Sequence, residues 1–163
     1  MKTIKISDIY RAMAAMILTV ALAVTAVAQN QVPFKGAMQG TDADSNFTNT
    51  TVSVTTTGTG IGTLLGQFSF TQEVTVNFAS STSTGSAHWI AANGDSIYTT
   101  IAGSGEPTDT GLIRITEIQT ITGGTGRFSG AQGSFTVERL ASPVTFLTSG
   151  SFHGCINSPG AAH

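Results

Sequence analysis

Downstream of residue 29 the chain alternates apolar with Thr/Ser positions at period two and contains no stretch of helical periodicity. Phe68 and Phe70 alternate with Gln67, Ser69 and Thr71, and Val74, Val76 and Phe78 alternate with Thr75 and Asn77. Ile97, Thr99 and Ile101 make another face, as do Phe135 and Val137, then Val144, Phe146, Phe152 and Ile156. Each segment reads as a strand with one apolar and one hydroxyl-bearing face. Turn residues stand between them: Gly58-Thr59-Gly60, Asn93-Gly94, Gly103-Ser104-Gly105 followed by Pro107, and Gly123-Gly124-Thr125-Gly126. Asn93-Gly94 is the strongest signal, because a two-residue type I′ hairpin needs φ > 0 at both positions. The predicted strands cover 32–40, 48–57, 62–71, 73–79, 85–92, 95–102, 112–122 and 132–140, with a last one at 144–156 placed to pair with the first. Even spacing predicts an all-β domain, a sandwich or an up-and-down barrel, and the short connections favour a meander whose closure into a barrel removes exposed strand edges.

One strand breaks its own alternation. Ile113, Ile115 and Ile121 share a parity with Glu117 and Gln119, whereas Ile118 falls with Arg114, Thr116 and Thr120. Two readings stay open: a β-bulge near Glu117 switches the faces, or Glu117 points into the barrel as a polar group.

The first 28 residues differ in kind. Lys2, Lys5 and Arg11 precede an apolar run from Ala12 to Val27 that ends in Ala26-Val27-Ala28. Basic n-region, apolar h-region and small-x-small end are the pattern of a secretory signal, and the run is shorter than the roughly 20 residues of a spanning helix. Three of the seven basic residues belong to this segment, so the expected mature chain is mildly acidic. That balance argues against a nucleic-acid surface or a polybasic membrane patch. Export predicts a secreted or periplasmic protein, with a barrel over 29–156 and a short tail at 157–163. Thr-rich faces, one Trp and two Tyr do not supply the aromatic girdles of an outer-membrane barrel. Cys155 is the only cysteine, which excludes an intramolecular disulfide and leaves stability to burial and hydrogen bonding.

Two stretches carry a resemblance: Ala91-Ala92-Asn93-Gly94-Asp95, and the run from Ile121 to Phe135 with Gly123-Gly124-Thr125-Gly126, Phe128 and Ala131-Gln132-Gly133. The second is similar to the hallmark turn of the allene oxide cyclase and dirigent barrels, and Phe146 to Gly154 resembles their closing strand. The resemblance implies an eight-stranded antiparallel barrel around an apolar cavity, often assembled as a dimer or trimer. If the chain is an enzyme, the resemblance implies an intramolecular cyclase or isomerase. Cyclases of that family place an acidic residue and an Asn on the inner face of the first strand. Here that stretch reads Val32 to Gln39, with no carboxylate before Asp42.

Other chemistry is sparse. Asp42-Ala43-Asp44-Ser45-Asn46 begins like a calcium loop, but Phe47 and Ser53 replace the Gly and Glu such a loop needs, so a solvated loop is expected. Gly123, Gly124 and Gly126, like Asn93 and Gly94, are expected as structural-turn residues, and the glycine run is no phosphate cradle, because no P-loop or dinucleotide spacing is present. His88, His153 and Cys155 are candidates for a metal or nucleophilic site on adjoining strands, against the reading that His153 is a wall residue and Cys155 a small buried hydrophobe. Trp89 and Tyr98 flank the Asn-Gly hairpin and, with Phe68, Phe70, Phe146 and Glu117, are the candidate ligand-binding residues. Glu117 is also the candidate catalytic group. The expected function is non-catalytic binding of a small hydrophobic or aromatic ligand in the lumen, without metal or other cofactor. Cyclisation or coupling guidance in the same cavity, and a structural or adhesive surface module, are the alternatives.

Overall fold

The computed structural model describes residues 31–157; the predicted export signal and all but the first residue of the predicted tail lie outside them. Eight antiparallel strands follow one another in chain order: β1 (Gln31–Ser45), β2 (Thr51–Gly62), β3 (Gly66–Asn77), β4 (Thr82–Ala91), β5 (Ser96–Pro107), β6 (Ile113–Gly124), β7 (Gly133–Ala141) and β8 (Leu147–Asn157). Each pairs with the next, and β8 pairs with β1 over Gln31–Thr41 to close an up-and-down barrel. The predicted fold class is the observed one.

The strand boundaries differ from the expected ones, and the glycines explain why. The segments expected at 62–71 and 73–79 are one continuous strand, β3, whose in-facing row runs Phe68, Phe70, Gln72, Val74, Val76. Gly58-Thr59-Gly60 and Gly103-Ser104-Gly105 are not turns but lie inside β2 and β5. A strand tolerates an inward glycine where another group needs the space. A Cβ built at Gly58 would stand 2.7 Å from the Phe70 ring, and one at Gly60 would be closer still to the Phe68 ring. At the other end of the series, Val144 and Phe146 belong to the β7–β8 turn instead of a strand, with Phe146 in the left-handed region at φ 58°.

Ala92–Gly94 form the β4–β5 loop, but with a different turn from the one expected. Only Gly94 has positive φ, at 88°; the Gly94 N–H donates to the Ala91 carbonyl and the Ala91 N–H to the Asp95 carbonyl. That is a three-residue loop with glycine in the left-handed position. Asn93 works through its side chain, whose amide donates to Asp95 Oδ2 at 2.7 Å. Gly123 and Gly124 end β6, and Gly126, at φ 55°, opens a short 3₁₀ turn over Gly126–Phe128.

The barrel has two unlike ends. At the end holding the 62–66, 91–96 and 124–133 turns, Leu65, Phe128 and Ala131 fold inward and are buried. Below them Phe34, Phe68, Phe70, Trp89, Phe135 and Phe152 fill the lumen, with neighbouring ring centroids 5.0–6.3 Å apart. Edge-to-face contacts recur, as in Trp89–Phe135 at 82°, which sets the positive ring edge against the negative face. Six aromatic side chains from β1, β3, β4, β7 and β8 thus meet inward glycines on β1 and β2, large against small.

Replacement Gly60→Ala is expected to destabilise the barrel by about 1–3 kcal/mol through overpacking against Phe68 and the Ala37 carbonyl. Chemical denaturation measures it; an unchanged midpoint would show that the rings do not need this space.

Candidate functional site

Beneath the aromatic half, side chains from all eight strands form a polar layer across the lumen. It begins at Trp89, whose indole can only donate a hydrogen bond. Trp89 Nε1 donates to Gln119 Oε1 at 3.0 Å, and Thr99 Oγ1 donates to the same oxygen at 2.7 Å. The Gln119 amide must therefore turn its nitrogen the other way, where it donates to Gln72 Oε1 at 3.3 Å. Gln72 in turn presents its nitrogen to Glu117 Oε1, at 2.7 Å. One donor-only group thus orients two amides and delivers a donor to Glu117.

Glu117 Oε1 also accepts from Arg139 Nη2 at 3.2 Å. Arg139 Nη1 spans to Asp42 Oδ2 at 3.3 Å and to Thr148 Oγ1 at 3.0 Å, and Asp42 Oδ1 accepts from Thr56 Oγ1 at 2.6 Å. The Arg139 and Glu117 side chains are 2% and 1% exposed, so water screens their attraction little. Two atoms in this layer are buried without a partner, Glu117 Oε2 and Arg139 Nε.

Towards the other end, the one carrying the 45–51, 77–82, 107–113 and 141–147 turns, a cavity of about 200 Å³ stands over this floor. Val54, Val74, Val76, Ile113, Ile115 and Ala141 make its wall; Asp42, Glu117 and Arg139 border it below, and Asp44, Pro143 and Phe146 lie towards its mouth. Burial, and then the neighbouring Asp42 charge, raises the Asp44 pKa above the ordinary carboxylate range.

The expected site residues separate accordingly. Glu117 faces the lumen and is fully buried, while Ile118 is exposed on the outside. The bulge lies elsewhere: the β5–β6 register shifts between Tyr98 and Thr99, leaving Thr122 as the extra residue. Alternation therefore persists from Ile113 to Ile121, and the expected bulge near Glu117 is not present. Phe146, 43% exposed, borders the cavity mouth. Phe68, Phe70 and Trp89 are packed against one another in the filled half and do not border the cavity. Tyr98 points outward, 42% exposed, and stacks on the His88 ring at 4.7 Å.

Asp42 and Asp44 are strand residues rather than a solvated loop, because β1 continues to Ser45. The first strand thus does carry carboxylates towards the lumen, two and four residues beyond its expected end at residue 40. His88 on β4 and His153 and Cys155 on β8 occupy strands that are not neighbours, so they form no common site; His153 is exposed and Cys155 only half-buried. Among the described residues no three His, Cys, Asp or Glu side chains converge as metal ligands.

The sequence does not single out Gln72 or Arg139, gives Gln119 only its parity and places Asp42 in a loop, yet parity announces all four. Phe68 and Phe70 lead to Gln72, and Phe135 and Val137 lead to Arg139, each two residues further along an inward row.

Compared with protein-family models, curated proteins and solved structures, the chain gives no match.

Arg139→Met is expected to cost about 3–5 kcal/mol in chemical denaturation, because it strands two carboxylates around a buried site; a loss below about 1 kcal/mol would mean that water already compensates them. Asp44 supplies a pH test. An acid whose pKa is raised in the fold contributes stability below its unfolded pKa and loses it as pH rises through the folded value. Asp44→Asn is therefore expected to match or exceed the wild-type melting temperature at pH 7. The difference should close as pH falls through the raised Asp44 pKa, and a wild type more stable at pH 7 would contradict it.

Proposed function

We propose that this protein is an exported β-barrel that binds one small, largely apolar molecule without catalysis, in the cavity at its open end. The observation that carries the reading is the pair of unpartnered buried atoms, Glu117 Oε2 and Arg139 Nε, at the base of an apolar-walled cavity. Leaving a buried polar atom without a partner costs about 1–3 kcal/mol, so a bound polar group that completes the layer recovers a real penalty. Few polar groups at the base of an apolar wall are the usual build of a small-molecule site. At about 200 Å³ the space suits one ring and a short substituent, since a cavity of roughly 150 Å³ already holds benzene. The export half of the proposal rests on the signal pattern of residues 1–28.

A structural or adhesive surface module is the second reading. The aromatic packing that fills half the lumen favours it, as do the exposed apolar side chains on the open-end turns, with Phe47 67% and Val144 83% exposed.

Native mass spectrometry of the protein from its producing cells, with titration of a lipophilic fluorescent probe, tests the two against each other. One equivalent of a small molecule or probe, lost when Val74→Trp fills the cavity, is the expected result. An empty protein that binds no probe would remove the binding reading and leave the surface module.

A further inference from the structure

The polar layer has unequal donor and acceptor capacity, and the inequality specifies the ligand. Among the described residues Arg139 is the only cation bordering the cavity, and its two terminal nitrogens are already engaged, Nη1 by Asp42 and Thr148, and Nη2 by Glu117. Of its donors, Nε alone lacks a partner. Against it stand three acids, Asp42, Asp44 and Glu117. Glu117 keeps a whole carboxylate oxygen unpartnered although the residue is 0% exposed. Asp44, two residues along β1 from Asp42, adds to the same surplus of negative charge near the mouth.

Space beside Glu117 is built into the fold. A Cβ at the inward Gly103 would stand 2.8 Å from Glu117 Cγ and 2.8 Å from Ser83 Oγ. Glycine at this position lets the carboxylate extend into a lumen that the neighbouring strand would otherwise fill.

We infer that the cavity selects a primary ammonium, carried on a single ring or a short branched chain, and that this head seats on Glu117 Oε2 while the apolar body lies among Val54, Val74, Val76 and Ile115. An ammonium brings three donors and no acceptor, which matches the vacant acceptor. Charge-assisted bonds of this kind are the strong ones, and the buried setting screens them weakly. A carboxylate of the same size would meet three acids and one guanidinium already bonded to two of them, so the same cavity rejects it. This inference rests on the reading of the cavity as a ligand site.

Calorimetric titration of the full-length protein with 2-phenylethylamine, 2-phenylethanol and phenylacetate, three compounds of matched body and different head, tests it at neutral pH. The amine is expected to bind at least about tenfold more tightly than the alcohol, and phenylacetate to bind least. In Glu117→Gln the advantage of amine over alcohol should fall to within about threefold, with alcohol affinity retained. Asp44→Asn, near the mouth and away from the buried layer, should reduce the amine advantage by a smaller factor, which keeps the test open if Glu117→Gln folds poorly. Phenylacetate binding as tightly as the amine, or an amine preference that survives in both variants, would overturn the inference. If a neutral lipophilic probe binds while the three heads are not distinguished, the head selectivity fails and the binding site stands. If neither probe nor any of the three compounds binds, both fail together.

Discussion

The hydrogen-bonded layer from Trp89 to Asp42 is the constraint around which the rest of the barrel is arranged. Each strand contributes a side chain to it, from Asp42 on β1 and Thr56 on β2 round to Arg139 on β7 and Thr148 on β8. A buried layer of this kind is favourable only when nearly complete, because every missing partner costs more in low dielectric than in water. It therefore penalises any slip in strand register: a shift of one residue turns every layer member to the outside. Apolar packing alone would tolerate several arrangements of six aromatic rings; the donor and acceptor pattern tolerates far fewer.

The layer also divides the lumen into two parts with different physics. On one side, aromatic rings and inward glycines give a closely packed core. On the other, valine and isoleucine side chains are too short to meet across the barrel, and the space between them stays open over a charged floor. One barrel thus combines a packed half with a cavity, and the charged layer between them borders both.

Much of this was legible in the chain. The inward rows through Phe68 and Phe70, Ile97 and Ile101, and Phe135 and Val137 all follow from alternation, and the meander follows from the short connections, while its closure rests on the pairing of β8 with β1. What misled were the glycines. Gly58, Gly60, Gly103 and Gly105 look like turn residues when only local conformation is considered. Their use is steric, and the groups they accommodate, the Phe68 and Phe70 rings, the Glu117 side chain and, at Gly105, the Ile113 side chain, sit on other strands. Ending β1 before Asp42 placed one of the three charged floor residues in a loop.

By itself the sequence determined which residues of an unbroken strand share a face, because side-chain alternation is a covalent property of extended backbone. It could thus admit Glu117 to the interior without deciding the matter. Only the tertiary structure decided which inward groups meet. Gln72 and Glu117 are 45 residues apart and Asp42 and Arg139 are 97 apart, and their contacts depend on closure and register around the whole barrel. No local pattern encodes such a meeting. Whether an inward carboxylate is paired, stranded or open to a ligand is a property of the assembled lumen.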